Sequence, residues 1–324
     1  MAYFISVVIA AHNRNDSLKN TLNSLLIQDY SKNNYEIIVV GYDKNDTKKV
    51  ITLLNNPLIK YFEIDSTYPD KKRNYGIKQA KGKIIAFTDD DCLPQIDWIS
   101  RINSAFELDK TLSGIEGKTT QDNQWIFYHA SENLIGGKFL ACNYAFKKEA
   151  LLEIGGFDEN YGFFREDTDL AFRLLSAGKK IKFDKKVLVH HPPRKGSYFS
   201  KVKELFLLKG DIRLYKKFPE LYKKNFGVIC KGLFKQSIFS WIILSALFFS
   251  IFTANLPLLL SGMLLLFLFR FFIEAKNKEF CIGNISILTI TCFLRDLFFP
   301  FFFVYYYISI NQSKFNENTS RKLY

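Results

Sequence analysis

The sequence predicts an α/β domain with a Rossmann-like, mostly parallel sheet flanked by helices, followed by a C-terminal α-helical membrane region. Over the first 200 residues, short apolar runs alternate with amphipathic segments, which is typical of alternating strands and helices. Gln236–Phe269, by contrast, contains no Asp, Glu, Lys or Arg, a composition far outside that of soluble domains. We therefore expect an α/β domain over residues 1–200 and a basic helical segment over 201–235. Apolar helices should follow over 236–310, and a polar tail over 311–324.

The sheet is predicted from four apolar runs that are nearly continuous. Such runs are expected where helices cover both faces of a parallel sheet, and strand–helix–strand repetition implies right-handed crossovers. The predicted strands are Ile5–Ala10, Glu36–Val40, Ile59–Ile64 and Lys83–Thr88, and the predicted helices are Asp16–Gln28 and Lys71–Ala80. Because ligands bind beyond the carboxyl ends of such strands, the residues after Ala10, Val40 and Thr88 are candidates for a binding site.

The rest of the α/β domain is less regular. Lys138–Phe146 is predicted as a strand and Lys148–Ile154 as a short helix. A helix over Asp167–Ala177 should end at Gly178, since glycine is favoured in the left-handed conformation that follows the last helical turn. Val187–His190 is predicted as a short strand.

The apolar region is too long for a single membrane span. As one helix, its 34 uncharged residues would measure about 51 Å, against a bilayer core of about 30 Å. Asn255-Leu256-Pro257 interrupts its middle, so we expect two short spans, 237–254 and 256–273, joined by a tight turn. A third apolar segment, 281–310, is interrupted by Arg295-Asp296. It is either a third span with an intramembrane ion pair or an interfacial or re-entrant helix.

The net charge of +13 indicates an anionic partner. Ten Lys or Arg residues against three acids lie between Lys201 and Lys235, immediately before the apolar region. This position favours anionic membrane lipids over nucleic acid; a solvated helix surface with the positive-inside bias would give the same pattern. Both interpretations place this end in the cytoplasm, at the inner membrane. Five scattered cysteines without a CxxC pair fit a reducing compartment.

Three consecutive acids, Asp89, Asp90 and Asp91, follow the fourth predicted strand. Adjacent like charges repel one another unless a counter-ion is present, and carboxylate oxygens are ligands that Mg²⁺ and Mn²⁺ prefer. Side chains at alternate positions of a strand end point the same way, so Asp89 and Asp91 could share one ion. The alternative is a cluster that caps the next helix.

Two further polar pairs stand out in the second half of the domain. Glu166-Asp167 opens a predicted helix, where acids commonly cap the first turn. His190-His191 ends the last predicted strand, where histidines are more often structural than ligating. Each pair alone has an ordinary structural explanation. Together with the acidic cluster they offer a cation site and a general base, which the transfer of a sugar from a nucleotide donor requires.

In this combination the chain resembles glycosyltransferase family 2, whose members are inverting enzymes with the GT-A fold. SVVIAAHNR resembles that family's first strand and nucleotide-contacting turn, and Lys72-Arg73-Asn74-Tyr75-Gly76 resembles its ARNxG segment. FTDDDCLPQIDWI resembles the strand that carries the DxD metal motif. The stretch from Ala141 to Gly178 resembles the acceptor side of the family, which runs to an ED motif.

The resemblance implies roles for individual residues. Asp167 corresponds to the catalytic base, with Glu166 beside it. The implied metal ligands are Asp89, Asp91 and one histidine, which is His191 or else His190. The residues implied in binding the nucleotide sugar are Ala11, Asn13, Arg14, Asp43, Arg73, Asn74, Asp89 and Asp90.

The second strand departs from the family pattern. It ends in Val40-Gly41-Tyr42-Asp43, where the family has paired acids followed by Gly-Ser. Either Asp43 reads the base of the donor or Tyr42 stacks on it, and a UDP-sugar is the default donor by family frequency. Trp98 and Trp125 either contact a sugar or pack in the core.

The sequence therefore predicts a metal-dependent, inverting glycosyltransferase with Mg²⁺ or Mn²⁺ as cofactor. Its partners would be a nucleotide-diphosphate sugar, a lipid-linked or glycan acceptor and membrane lipids, but no nucleic acid. A glycan on polyprenyl diphosphate, in cell-surface polysaccharide synthesis, is the leading acceptor, and polyprenyl phosphate itself is the alternative. Two alternatives belong to other classes. A nucleotidyl transferase would need a Gly-rich, basic loop after the first strand, and the sequence there has none. The second alternative is a non-catalytic membrane scaffold.

Overall fold

The computed structural model describes residues 2–42, 47–122, 128–129, 131–195, 197, 199–253, 256–257, 260–262, 264–265, 268 and 282–310. The chain divides into two units: Met1–Asp122 with Ser131–Pro192, and Asn123–Ala130 with Pro193–Tyr324. Asp43, Trp125, Asn255 of the predicted turn, most of the second predicted span and the tail 311–324 lie outside the described residues.

An eight-stranded sheet organises the first unit. Its strands are β1 (Ile5–Ala10), β2 (Tyr35–Gly41), β3 (Ile59–Glu63), β4 (Ile84–Asp89), β5 (Leu93–Pro94), β6 (Leu112–Thr120), β8 (Tyr144–Lys147) and β9 (Lys180–His190), whereas β7 (Tyr128–His129) belongs to the second unit. Their spatial order is β3-β2-β1-β4-β8-β6-β9-β5.

The four strands predicted from apolar runs are confirmed, each to within one residue of its predicted bounds. β1 pairs in parallel with both β2 and β4, and β2 pairs in parallel with β3. Ala10 is in register with Val40 on one side and with Asp89 on the other. The carboxyl ends of these three strands therefore meet at one edge of the sheet, as the sequence indicated.

The other half of the sheet is mixed rather than parallel. β8 runs antiparallel to β4 and to β6, and β5 runs antiparallel to β9, while β6 and β9 are parallel to each other. Four of the seven strand pairings are therefore parallel, and the sheet is mixed, with uninterrupted parallel pairing over β1 to β4.

Helices cover both faces of this sheet. They are α1 (Asn15–Leu26), α2 (Thr47–Leu54), α3 (Pro69–Gln79), α4 (Trp98–Leu108), α5 (Lys148–Glu153) and α6 (Glu166–Ser176). Val7 of β1 belongs to one buried cluster with Leu22 of α1, and the next residue, Val8, belongs to another with Leu170 of α6. Because successive strand residues face opposite sides, the unit has three layers: helices, sheet and helices.

The predicted strand over Lys138–Phe146 is wrong over its first six residues. β8 begins only at Tyr144, after a short 3₁₀ helix over Ala141–Asn143. Upstream, the φ angle of Phe139 is 55°, and its backbone N–H donates to the buried carboxylate of Glu116. The loop's amide groups are satisfied by this β6 side chain instead of by a neighbouring strand.

The described part of the second unit consists of helices and a two-stranded ladder between β7 and β10 (Arg194–Lys195). The helices are α7 (Ser200–Lys217), α8 (Pro219–Phe226), α9 (Lys231–Phe252) and α10 (Ile282–Ser309). α10 packs against α7 and α9. Because α10 runs without a break from Ile282 to Ser309, Arg295-Asp296 lies within one continuous helix.

Arg295 and Asp296 are buried inside the helical unit. Arg295 donates to Glu204 Oε2 of α7 at 2.9 Å and to Asp296 Oδ1 at 2.9 Å. Ser240 of α9 donates to Asp296 Oδ2 at 3.2 Å. A buried charge is tolerated only with such partners, so the network ties three helices together.

Among the described residues, one helix, α9, is long and apolar enough to cross a bilayer, with a mean hydropathy of 1.5 over its most apolar stretch. Length and composition alone are weak evidence, because the core helix of a soluble protein meets the same criteria.

Candidate active site

The acids predicted to bind a cation lie where β1 and β4 end side by side. β4 ends at Asp89, and Asp90 and Asp91 form the turn that follows. The backbone N–H of His12 donates to Asp90 Oδ2 at 2.7 Å. Arg14, in the same loop, contacts Asp90 Oδ1 and lies 3.0 Å from Asp91 Oδ2. Both oxygens of Asp90 are thus engaged by the loop after β1.

Arg73 of α3 joins the two acidic motifs. Its Nη2 atom lies 2.9 Å from Asp89 Oδ1, and its Nη1 atom lies 2.9 Å from Glu166 Oε1 at the start of α6. The guanidinium side chain is 5% exposed, and both carboxylates raise its pKa against the opposing effect of burial. The planar guanidinium, with donors on two sides, therefore holds the end of β4 and the head of α6 at one site.

A second contact brings the end of the sheet's β9 strand to the acids. His191 follows β9 and is buried, and its Nε2 atom lies 3.8 Å from Asp91 Oδ1. One ligand atom each of Asp89, Asp91, Cys92 and His191 lies within 4.8 Å of the others. Two carboxylates and an imidazole suit a hard or borderline divalent cation, so the donor set fits the predicted metal.

His190, the alternative ligand, points elsewhere. Its Nε2 atom lies 3.3 Å from Asp122 Oδ2, and its Nδ1 atom lies 3.5 Å from Thr120 Oγ1. The geometry therefore favours His191 of the two.

The start of α6 depends on an unusual backbone. Phe164 and Arg165, immediately before the helix, have φ angles of 73° and 71°. Such left-handed conformations in residues other than glycine cost about 1–3 kcal/mol each and concentrate at functional sites. Asp167, in the first turn, is partly exposed and accepts N–H groups from Ala141 at 3.2 Å and Thr168 at 2.7 Å.

Burial perturbs both acids at the head of α6. It raises the pKa of Glu166 to about 7, helped by the neighbouring charge of Asp167 and opposed by Arg73. Burial also raises the pKa of Asp167, against the effects of Arg73 and of the two backbone N–H groups. A carboxylate whose pKa moves towards neutrality is a better proton acceptor near pH 7 than an ordinary one.

We expect activity to depend on pH as these shifts dictate. A base works only when deprotonated, so a raised pKa moves the acid limb of the kcat/KM profile up, towards pH 7. Below that limb the rate should fall about tenfold per pH unit, and the two acids should titrate as a coupled pair. Steady-state rates between pH 5 and 9 at saturating metal would measure this. A limb near pH 4 would contradict the assignment.

Lys72 is a site residue that the sequence analysis did not single out. It is almost fully buried, and its Nζ atom donates to the carbonyl of Ala11 at 2.7 Å. Burial lowers the pKa of Lys72 to about 8. The lysine ties α3 to the loop after β1, whose residue Asn13 has a left-handed backbone and is exposed. Only its place beside Arg73 in the ARNxG-like segment could have drawn attention to it.

Tyr144, at the start of β8, is a second residue without a sequence signal. Its hydroxyl is buried and has no hydrogen-bond partner among the described residues. Its ring lies against Phe87, with ring centroids 5.3 Å apart. Burial raises the pKa of Tyr144 well above its usual range, and the charges of Asp167 and Glu166 add to the increase.

Asn74 and Trp98, two candidates from the sequence, both make structural contacts, and the role of Asn74 in donor binding stays a prediction. Asn74 donates to the carbonyl of Phe157 at 3.0 Å and accepts the N–H of the same residue at 2.7 Å; the structure thus joins it to the loop before α6 rather than to the acidic cluster. Trp98 is fully buried and donates to Asn143 Oδ1 at 2.9 Å. Its packing in the core leaves no face for a sugar.

The segment that builds most of this site matches a known family. Residues 6–158, which run from β1 through β8 and α5 and include the acidic turn, match the model described as Glycosyl transferase family 2. This segment is a glycosyl transferase family 2 domain. α6 and β9, which supply Glu166, Asp167 and His191, follow the matched segment.

Individual glycosyltransferases resemble shorter stretches of the chain. It is 32% identical over 105 residues to Glycosyltransferase AglE of Haloferax volcanii, which covers 30% of this chain and 34% of the relative. It is 33% identical over 90 residues to the poly(ribitol-phosphate) beta-N-acetylglucosaminyltransferase TarS of Staphylococcus aureus, which covers 26% of this chain and 16% of the relative. The matched stretch is therefore about a third or less of the length of these curated relatives.

Solved structures extend the likeness of fold beyond the family domain. The mannosyltransferase PcManGT from Pyrobaculum calidifontis, solved in complex with GDP-Man and Mn²⁺, superposes with a TM-score of 0.60 at 17% identity. The match covers 91% of this chain and 86% of that one. With the family match, it confirms the GT-A fold, and the relatives confirm that the family 2 domain is of the glycosyltransferase class.

Proposed function

We propose that the protein is a metal-dependent, inverting glycosyltransferase that moves a sugar from a nucleotide-diphosphate sugar to a lipid-linked glycan at the cytoplasmic face of the inner membrane. The observation that carries this proposal is the bridge of Arg73 between Asp89 and Glu166. It supports one shared site for the acids at the end of β4 and those at the head of α6, which is what the chemistry requires.

The donor would lie across the ends of β1, β2 and β4, beside Ala11, Asn13 and Arg14. Ala11 is fixed there, since its N–H donates to Val40 at 2.9 Å and its carbonyl accepts Lys72. Arg14 is partly exposed and offers a cation close to the acids, where an anionic diphosphate would need one. A UDP-sugar is the default from family frequency, whereas the PcManGT complex holds GDP-Man; the donor screen below includes both.

Asp89, Asp91 and His191 would hold Mg²⁺ or Mn²⁺, the latter being the ion in the PcManGT complex. When bound, the ion would neutralise the charge that develops on the leaving diphosphate. Arg73 positions Asp89, and Arg14 balances the charge of Asp90 and Asp91.

Asp167 would act as the base and take the proton of the attacking acceptor hydroxyl onto a carboxylate oxygen. Two features favour it over Glu166. Asp167 is partly exposed, whereas Glu166 is buried and committed to Arg73. The N–H groups of Ala141 and Thr168 fix its orientation, and a single attack on the anomeric carbon, with the base on the acceptor side, inverts the configuration.

A donor screen tests the proposal. The purified chain would be incubated with UDP- and GDP-sugars, with and without Mn²⁺ or Mg²⁺, in the presence of a lipid extract, and release of nucleoside diphosphate would be measured. Metal-dependent release is expected. Silence across all donors would instead support a non-catalytic scaffold.

Removing one acid should separate metal binding from folding. We expect Asp91→Asn to lower metal-dependent transfer by about 100-fold or more, because a ligand and a negative charge are lost. Mn²⁺ binding, measured by titration calorimetry without donor, should weaken in parallel. Asp97→Asn, which loses only a surface pair with Arg101 at 2.8 Å, is the control. Unchanged Mn²⁺ affinity in Asp91→Asn would remove this residue as a ligand.

Membrane attachment through α9 makes a separate prediction. Ile242 and Phe249 are about 60% exposed on this helix. An Asp at a membrane-embedded position costs about 3 kcal/mol, so Ile242→Asp with Phe249→Asp should shift the protein from the membrane fraction to the supernatant. Lys19→Asp on α1 is the control. Extraction of the unaltered chain by high salt alone would contradict insertion.

A further inference from the structure

Two aromatic side chains form an exposed patch where α3 and α6 begin. Tyr68 immediately precedes α3 and is 44% exposed, and Phe163 lies three residues before α6 and is 54% exposed. Their ring centroids are 5.4 Å apart, with the ring planes at 57°. Single exposed apolar residues are common and need no explanation. A contacting pair beside candidate catalytic residues is a different case.

The patch is held rigidly. Gly162 has a φ angle of 71°, and a Cβ atom there would lie 3.1 Å from the Tyr68 ring, so the backbone passes directly against that ring. The N–H of Gly162 donates to the buried Asp70 Oδ2 at 2.8 Å. Because Asp70 belongs to α3, this bond fixes the loop of Phe163 against the helix that follows Tyr68. Rings fixed in advance lose little conformational entropy on binding.

The same two helix ends carry the proposed chemistry. Arg73 lies five residues after Tyr68, and Asp167 lies four residues after Phe163. The bridge between Arg73 and Glu166 joins α3 to α6. With about 3.8 Å between successive Cα atoms, the Cα of Phe163 is at most about 15 Å from that of Asp167. A ligand of a few sugar residues that presents a hydroxyl to Asp167 can therefore reach the patch.

We propose that Tyr68 and Phe163 bind a pyranose ring of the acceptor, so that the acceptor class is a carbohydrate rather than a bare lipid phosphate. The inference rests on the proposed function and adds to it the nature of the acceptor. Aromatic faces are electronegative, and the C–H groups on one face of a pyranose are weakly positive. Stacking on that face leaves the sugar hydroxyls at the edge, free to hydrogen-bond.

The surroundings of the patch fit a sugar better than a hydrocarbon chain. Asp158, Glu159 and Asn160 precede the loop, and Arg165 follows Phe163 closely. A polar rim of this kind supplies donors and acceptors for hydroxyl groups. A hydrocarbon chain has no group that could hydrogen-bond to such a rim.

Substitutions of Phe163 distinguish a sugar from a lipid chain. Saturation-transfer NMR would be recorded on the full chain with methyl glycosides of glucose, galactose, mannose and N-acetylglucosamine, without donor. We expect ring C–H signals for at least one of them with the unaltered chain and with Phe163→Trp, and their loss with Phe163→Leu, which remains apolar but has no aromatic face. Leu108→Ala, at an 87% exposed position at the end of α4, is the control.

Kinetics supply the second measurement. With an acceptor found in the donor screen, Phe163→Leu should raise the acceptor KM by about tenfold, the upper range for an aromatic contact, with Phe163→Trp restoring it. The proposal would be overturned if Phe163→Leu and the unaltered chain gave equal NMR signals and equal acceptor KM values. It would also be overturned if the chain bound vesicles that contain polyprenyl phosphate but bound none of the pyranosides. The NMR arm needs no turnover, so its outcome is separate from that of the donor screen.

Discussion

Replacing Arg73 by alanine is expected to destabilise the catalytic unit by about 3–5 kcal/mol, the cost of leaving buried charges unpaired. The guanidinium is buried and is the shared partner of Asp89 and Glu166. Arg73 lowers the pKa of Asp89 and opposes the increase at Glu166, so its loss should raise both. Urea unfolding of the purified chain would measure the change.

Arg101→Ala is the matched control for Arg73→Ala. Arg101 also pairs with an acid, Asp97, at 2.8 Å, but it is 46% exposed and lies on the surface of α4. Exposed pairs contribute about 0–1 kcal/mol, so this variant should unfold almost as the unaltered chain does. Arg73→Lys keeps the charge but cannot reach both acids with one planar group, and we expect a loss between the two. Equal stability of Arg73→Ala and Arg101→Ala would show that the bridge carries no energy.

Replacing Asp167 by asparagine is expected to lower kcat by about 100- to 10,000-fold, the usual contribution of a general base. The amide cannot take a proton from the acceptor hydroxyl. Donor and metal binding should persist, because Asp89, Asp91 and Arg14 are unchanged. The two carboxylate oxygens of Asp167 accept one N–H group each, from Ala141 and Thr168, whereas an amide has only one acceptor oxygen. The substitution should therefore lose one hydrogen bond and lower the free energy of unfolding by about 1 kcal/mol.

Asp16→Asn controls for the helix position of Asp167. Asp16 is likewise an acid in a first helical turn, on α1, but it is exposed. Both variants remove a charge that favours a helix N-terminus, and only Asp167→Asn removes the proposed base. Single-turnover rates with a donor found active would compare them. Full turnover in Asp167→Asn would assign the proton transfer to another group.

The parallel half of the fold was predictable because its signal is local. Strands β1, β2 and β4 are buried on both faces along almost their whole length, and β3 is partly buried, so a largely apolar run marks each strand to within a residue. β6 was missed because Gly114, Glu116 and Lys118 break any such run. Glu116 is buried there only because it accepts N–H groups of a loop some twenty residues later, a contact that no local pattern reveals.

The site was predictable in its acids but not in its connections. Three adjacent aspartates signal a counter-ion by their mutual repulsion, whichever fold surrounds them. The partners of Arg73 lie 16 and 93 residues away in the sequence. Only the folded structure therefore shows that Arg73 forms a buried bridge and is not an ordinary exposed helix arginine. Asn74 shows the converse, since a family motif named it while its contacts lie with the loop before α6.

The place of β9 in the sheet bears on which fragment of the chain can fold. β9 lies between β6 and β5, so the last long strand in sequence is an interior one in space. A chain cut at residue 158, where the recognisable family segment stops, would leave β6 with an open edge and β5 without a neighbour. Open edges invite aggregation. The shortest fragment that folds should therefore extend to the end of β9, some thirty residues beyond the end of the matched family segment.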